Sequence, residues 1–594
     1  MLEITQEVAG VDRVINVIEE YGEVTEFLAW AGNQEIVAVD TETTGLDLFS
    51  DTFRVRLIQF GTQTEAWVIP VELGDEYTDV ARQAIVEIPR LVFQNAAYDI
   101  IALNQACGIA VDWDKVRDTK ILAHLADPRE LKEGGIGHSL SDLTRALIDT
   151  DVADDIKDSM KHMASEAGTT QGEVFKTIDL WNETYLLYAG MDVILTSILL
   201  SKLVDMVPRS STNLVEVEHK IARICAEMEM TGFLLDVEYA EEFAQELLAD
   251  EEYYEAVALV EYGTESVNAT AQVAADLIDS GVKLTERTAS GAWKLDKTVI
   301  EPLAEQGHPL AQAVVAAKRA KKWRTTWVQK FLDNRDPDDR CHASIQPLRA
   351  RTARMSITGI PAQTLPAGDW KVRRCFIADP GESIVSIDYK AQELRVLAAL
   401  SGDRNMIEAF ATGADLHQMT ADASGVDRSV GKTVNFAYVY GSGPKNIAET
   451  CGISVDKARE VIKGFESTYP AVKRLSERLQ RDAKRKGHIV TASGRRIPVD
   501  PERPYAALNY LIQSTSRDIT AAALIRLDNA GLTPYLRLPI HDEVLACVPT
   551  EQADELAQQI AELMKTPYSG VLIDTDCDVF GESWGHGYYP EEDK

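Results

Sequence analysis

The chain has 594 residues, too many for one hydrophobic core, so two to four domains are expected. Its 45% hydrophobic and 26% charged residues are those of an ordinary globular protein, and no apolar run approaches the ~18 residues that cross a bilayer, so no membrane partner is expected. The net charge of −35 taken alone favours an acidic metabolic enzyme over a binder of polyanions. The charge is unevenly spread, however. Residues 236–255 hold nine acids and no base, whereas residues 471–500 hold nine Lys or Arg against three acids. Lys318–Arg324 (KRAKKWR) and Arg349–Arg354 (RARTAR) add two basic clusters. A basic cleft in an acidic exterior fits a polyanion; solvated helix faces are the plainer alternative. The seven cysteines are scattered, odd in number and without a CxxC pair, and the N-terminus lacks a secretory signal. Reduced thiols and a cytoplasmic location are expected.

The first ~200 residues alternate strand-like and helix-like stretches, as in an α/β domain. Ile36–Val39, Val55–Phe60, Ala66–Ile69 and Leu91–Phe93 read as strands, and Trp181–Val204 as a long helix. Asp40 and Glu42 end the first strand. Positions i and i+2 face one side, and two carboxylates so placed repel unless a cation lies between them. An exposed turn is the simpler reading of a lone DxE. Asn95 and Asp99 lie one turn apart where a strand runs into a helix, and Tyr188 and Asp192 share one helix face. Pro208 and the polar run Arg209–Asn213 mark a boundary.

Beyond it the chain is mostly helical. Ile384–Ile387 reads as a buried strand that delivers Asp388, with a helix starting near Glu393; Asp388 as a mere helix cap is the competing reading. Arg428, Lys432, Phe436 and Tyr440 recur every four residues and form one slowly winding helical stripe, basic at one end and aromatic at the other. Cations suit a triphosphate and a ring suits a sugar and base. A further strand-like stretch is His488–Thr491. The segment LRLPIHDEVLACV reads as a hairpin with His541, Asp542 and Glu543 in its turn, although the usual Asn-Gly or Asp-Gly is absent.

The first set, Asp40, Glu42, Asp99 and Asp192 with Tyr188, resembles the DEDD proofreading 3′→5′ exonucleases of RNase H-like fold. The second resembles motifs A, B and C of family A DNA polymerases, from about Met230 to Trp584. The two resemblances cover nearly the whole chain, and the arrangement is similar to bacteriophage DNA polymerases of the mycobacteriophage group. They imply an exonuclease domain at 1–205, with no 5′-nuclease domain expected before it. A right-hand polymerase domain follows at 206–594, with thumb about 237–330, palm about 340–400 and 500–594, and fingers about 401–499.

What the resemblance implies residue by residue is as follows. Two Mg²⁺ ions, for which Mn²⁺ substitutes, serve each site. Asp40, Glu42, Asp99 and Asp192 hold one pair, Tyr188 orients the attacking water, and Leu46 wedges against the terminal base of a single-stranded 3′ end. Asp388, Asp542 and the Tyr389 carbonyl hold the other pair, which Glu543 supports without ligating. Arg428, Lys432 and His417 take the dNTP phosphates, and Lys432 protonates pyrophosphate. Glu393 packs against Tyr440 as a gate against the 2′-hydroxyl. Phe436, lacking a hydroxyl, implies poor use of dideoxynucleotides. Primer-template DNA is the partner of Arg354, of Asn509 and Gln513 in the minor groove, of His541 near the primer end, and of Arg495 and Arg496 at the backbone. No reading for a clamp, helicase or processivity factor emerges from the residues. The chain departs from the family pattern at Ala353, Ile357, the motif DYKAQELR, Ala437, Ser514 and Arg517. None of these removes an implied ligand. A nuclease whose C-terminal part only grips DNA, or a non-catalytic replication factor, is the rival reading. Intact Asp388, Asp542, Lys432 and Arg428 speak against both.

Overall fold

The computed structural model describes residues 1–366 and 368–590. The N-terminal part is a seven-stranded sheet with helices on both faces. Its strands are β1 (Leu2–Val8), β2 (Val11–Val17), β3 (Ile36–Thr43), β4 (Val55–Gly61), β5 (Glu65–Ile69), β6 (Arg90–Phe93) and β7 (Val116–Asp118), in the order β1-β2-β5-β4-β3-β6-β7. β3 pairs antiparallel with β4 and parallel with β6. Four strands lie where the hydrophobic runs put them. The hairpin β1–β2 and the short β7 were not foreseen, because charged and polar residues interrupt their apolar positions.

Alternation along β3 divides the two faces. Val37 and Val39 pack with Ile100, Ile101 and Leu103 of the helix Ala96–Cys107. Ala38 packs with the helix Glu183–Met206, through Leu186, Ala189 and Val193. That second helix is capped by Asn182, whose side chain accepts from the Tyr185 amide. It is the one helix among the described residues long and apolar enough to cross a membrane, contrary to the expectation that no such run exists. Its apolar residues are instead explained by the sheet, since 61% of the apolar window is buried inside the protein.

Past the short turn Arg209–Ser211, the helix Leu214–Thr231 joins the two parts of the molecule. Ala226 belongs to the core of the N-terminal sheet, while Ile221, Ile224 and Met228 belong to that of the C-terminal part. His219 accepts the Asp118 amide hydrogen at 2.8 Å. The acidic helix Val237–Tyr262 packs on the basic helix Pro309–Lys322. Glu251 there accepts from Lys321 and Arg324 at 2.8 and 2.7 Å, so those two cations of the KRAKKWR cluster neutralise an acid within the fold.

The C-terminal sheet has four antiparallel strands in the order Leu536–Ile540, Glu543–Pro549, Glu382–Tyr389 and Thr575–Gly581. The helix Ala506–Asn529 packs near it, and a helical subdomain over 404–486 carries the helix Arg428–Val439.

Candidate active sites

β3 runs on through both acids to Thr43, and within it Asp40 is partly buried and Glu42 is 5% exposed. Asp192 reaches them from the helix on one face. Asp40, Glu42 and Asp192 offer oxygens that all lie within 4.8 Å of one another, the one such acidic trio with metal-ligand spacing among the described residues. Asp99 comes from the helix on the opposite face and is held differently. Thr41, which alternation turns away from Asp40 and Glu42, donates to its Oδ1 through both amide and hydroxyl, at 3.1 and 2.7 Å. Asp99 therefore lies outside the trio but lines the same cleft of about 1030 Å³, with Tyr188 and the exposed Leu46. The helix bearing Asp99 starts at Asn95, in the left-handed region (φ 72°). The Asp118 carboxylate takes the Asn95 and Ala96 amides at 3.0 and 2.9 Å and so fixes that start. Neither Thr41 nor Asp118 was singled out from the sequence. Thr41 stood between the two marked acids, and strand alternation was the signal that it faces the other helix.

Charge crowding defines this cleft. Burial raises the Asp40 carboxyl well above its usual range, and Asp192 adds to the effect. Glu42 is raised by burial and then by Asp40, Asp192 and Asp99, with Arg56 opposing. Asp99 is raised by burial and Asp40. Burial lifts Asp192 to about 7, against the hydrogen bond from Tyr188. Such a set of hard oxygens, mutually repelling when ionised, fits a divalent cation of the Mg²⁺ or Mn²⁺ type.

The second site lies where three strands meet. Asp388 is the last residue but one of the strand Glu382–Tyr389. The next helix is capped at Ala391 instead, so Asp388 is no helix cap. Asp542 sits in the hairpin turn beside it, and its carbonyl accepts the Tyr389 amide hydrogen at 3.1 Å. Glu543 opens the return strand, directly opposite Asp388, and accepts from Ser386 at 2.6 Å. Partial desolvation, then Asp542 and Glu543, push the Asp388 carboxyl up to about 7. Asp542 is also raised by desolvation. His541, at φ 60°, is held down to about 4 by desolvation and by Arg354, and is neutral at pH 7.

The helix Arg428–Val439 carries Arg428, Lys432 and Phe436, with Tyr440 as its C-cap. Arg428 is exposed and paired with Asp415, and Lys432 is exposed. The His417 ring lies 5.8 Å from that of Phe436. Tyr440 donates to Glu393 Oε2 at 2.9 Å. Arg354, Glu393, Phe436, Tyr440, Gln513, His541 and Asp542 line one pocket of about 230 Å³. Gln513 accepts from Thr352 at 3.3 Å, while Asn509 is partly buried, with a buried amide nitrogen free of partners.

One expected DNA contact sits elsewhere. Arg495 is 2% exposed and bonds Glu218 and Asp518 inside the protein. Arg517 makes a two-pronged contact with the same Glu218 carboxylate, both at 2.6 Å. Two buried guanidiniums around one buried acid form a structural joint to the helix Leu214–Thr231, so Arg495 is withdrawn from any phosphate. Its neighbour Arg496 is exposed. Arg517, a departure from the family pattern, is accounted for by the same joint.

Comparison with known proteins bears on both parts of the chain. A model of DNA polymerase family A matches residues 237–586, and a 3′–5′ exonuclease model matches residues 15–208. The chain is 53% identical to the DNA polymerase of Mycobacterium phage L5 and 51% identical to that of Mycobacterium phage D29, each over 99% of both chains. It shares the fold of the POL domain of Pol1 from M. smegmatis, solved as a complex with DNA primer-template and dNTP, with a TM-score of 0.77 at 22% identity, over 96% of this chain and all of that one. The chain belongs to DNA polymerase family A, as a DNA polymerase with a 3′–5′ exonuclease domain ahead of its polymerase domain.

Proposed function

We propose that the enzyme copies a DNA template by adding dNTPs to a primer 3′ end at the Asp388–Asp542 centre, and edits that end at the Asp40–Glu42–Asp192 centre. A role in DNA replication is part of this reading. The observation that carries the reading is the pairing of two carboxylate-rich centres with different surroundings, a nucleotide-like stripe beside one and an open cleft beside the other. The division at about 205, and the assignment of thumb, palm and fingers, follow the resemblance to family A polymerases, supported by the family models over 15–208 and 237–586.

At the synthetic centre Asp388, Asp542 and the Tyr389 carbonyl would hold Mg²⁺, with Glu543 supporting them. When bound, the cations would lower the pKa of the primer 3′-hydroxyl and neutralise charge on the phosphates. Arg428 and Lys432 grip the triphosphate, His417 adds a contact, and Lys432 delivers a proton to the departing pyrophosphate. Phe436 and Tyr440 stack on the incoming sugar and base, and Phe436 gives no hydroxyl to replace a missing 3′-OH. Arg354, Asn509, Gln513, His541 and Arg496 hold the duplex without reading sequence, as copying any template demands.

At the editing centre Asp40, Glu42, Asp192 and Asp99 would hold Mg²⁺, which would supply an activated water and neutralise charge on the scissile phosphate. Tyr188 donates toward Asp192 and orients the attacking water, and Leu46 separates the terminal base.

Primer extension and primer digestion, measured on the same preparations, test this. Asp40→Ala abolishes digestion and retains extension; Asp388→Ala does the reverse. Loss of both activities from either change, in a protein that still folds, would overturn the two-centre reading.

A further inference from the structure

Motif A here reads DYKAQELR, with Lys390 two residues after Asp388. The fold gives that lysine a definite place. Asp388 stands opposite Glu543 on one neighbouring strand and opposite Asp576 on the other. Directly opposed residues of antiparallel strands share a face, with Cβ atoms ~5 Å apart. Glu543, Asp388 and Asp576 therefore form a row of three acids across the sheet. Asp542 adds a fourth at one flank. At the other flank Lys390 Nζ lies 2.8 Å from Asp576 and 3.1 Å from Asp574. The Lys390 backbone is fixed as well, its amide bonding the Asp574 carbonyl at 2.9 Å and its carbonyl accepting from Arg395 at 2.8 Å.

Like charges at opposed positions repel. Ser386 takes up part of the Glu543 charge by hydrogen bonding. Asp576 is mostly exposed, and the cation in contact with it is Lys390. The Asp574 carboxylate has a second lysine near it, Lys565 at 3.7 Å. An exposed pair of this kind adds little to stability, so its consequence lies in the local field.

We propose that Lys390 is a positioning residue for the polymerase centre: by neutralising Asp576 it keeps a third carboxylate from competing with Asp388 and Asp542 for divalent cation. This rests on the Asp388–Asp542 centre being the synthetic metal site. Removing the lysine leaves the Asp576 carboxylate without its paired cation beside Asp388, which draws divalent cations more strongly and lets one settle between Asp388 and Asp576.

The test uses the full-length protein with Asp40→Ala and Glu42→Ala, so that the editing centre does not contribute, and titrates Mn²⁺ with free ion read by electron paramagnetic resonance. Lys390→Ala is expected to tighten binding about fivefold, the size of one uncompensated charge acting through a largely aqueous path. Asp576→Asn added to Lys390→Ala restores the original affinity, and Lys390→Arg retains it. In the otherwise unaltered enzyme, Lys390→Ala moves the Mg²⁺ optimum for extension to lower concentration while digestion stays as before. Melting temperature should barely move, which separates this role from a structural one. Unchanged or weaker Mn²⁺ binding in Lys390→Ala, or no restoration by Asp576→Asn, overturns the proposal. A parallel Asp388→Ala arm keeps the underlying reading apart: if Mn²⁺ binding survives that change, the site assignment itself fails.

Discussion

The phenolic hydrogen of Tyr440 is donated to Glu393 Oε2 at 2.9 Å, linking the end of the stripe-bearing helix to the first turn of the helix that follows Asp388. Desolvation raises the Glu393 carboxyl, and the Tyr440 bond opposes that. The pair forms one wall of the pocket that also contains Asp542 and Phe436, where the sugar of an incoming nucleotide would lie. Glu393→Ala opens this wall. Its preference for dNTP over rNTP, measured as a ratio of kcat/KM values, should fall roughly 10–200-fold, the usual scale for a steric pocket change. An unchanged ratio would remove the gate from Glu393.

Asp99 depends on Thr41 for its orientation. Thr41→Val keeps the shape and the amide bond but deletes the hydroxyl donor at 2.7 Å. A supporting group of this kind is worth roughly 10–100-fold in activity or metal affinity. Digestion should therefore fall by about that factor, with extension unaffected. Digestion at the original rate would show that the amide alone holds Asp99.

Much of this was legible in the sequence, for definite reasons. The carboxylate pair at β3 was visible because an apolar strand ends in DTE, and the period of two fixes which acids share a face. The stripe Arg428–Lys432–Phe436–Tyr440 was visible because four-residue spacing on a helix leaves no other geometry. What remained hidden depends on pairing between distant segments. Nothing local says that Arg495 turns inward to Glu218, 277 residues away. SGRR reads as two exposed cations until the fold brings an acid to one of them. The row Glu543–Asp388–Asp576 likewise exists only through strand register, and Asp118 acts on Asn95 across a strand neighbour. The hairpin β1–β2 escaped because Gln6 and Arg13 take up positions in line with its buried apolar residues.

Arg495 and Arg496 are adjacent yet have different surroundings, so their alanine variants should separate. Arg496→Ala is expected to reduce the slope of log K against log salt for duplex binding by about 1, as loss of one phosphate contact does. Arg495→Ala should leave that slope unchanged and lower stability instead. Glu218 is the sharper probe of the joint, being fully buried between Arg495 and Arg517, which hold its carboxyl down to about 2. Glu218→Gln removes the acid shared by both guanidiniums, leaving Asp518 as the carboxylate beside them, and should cost about 3 kcal/mol in denaturant unfolding. The sign in pH follows from the depressed carboxyl. Its contribution is complete above the ordinary Glu value of 4.5 and is lost as pH falls from there toward about 2. A salt slope that changes in Arg495→Ala, or a Glu218→Gln protein of undiminished stability, would contradict this division.

The editing centre carries the opposite pH signature. Burial holds Asp192 up at about 7, against 3.8 for a free side chain. Between those values the folded protein keeps a proton that the unfolded chain releases. Stability of the metal-free protein from this group therefore falls as pH rises through that window, by up to about 1.4 kcal/mol per pH unit, and levels off above it. A divalent cation takes the place of the proton, so its stabilising effect grows as the carboxyl ionises. Mg²⁺ should raise the melting temperature more at pH 8 than at pH 5.5, and the fall in metal-free melting temperature from pH 5 to 7 should be shallower in Asp192→Asn than in the parent. Tyr188 bears on the same balance: its hydrogen bond favours the ionised form of Asp192, so Tyr188→Phe should move the window upward and weaken the Mg²⁺ effect at neutral pH. A Mg²⁺ shift equal at both pH values, or an Asp192→Asn profile that follows the parent, would mean that the crowded carboxylates are already neutralised by something other than protons and cations.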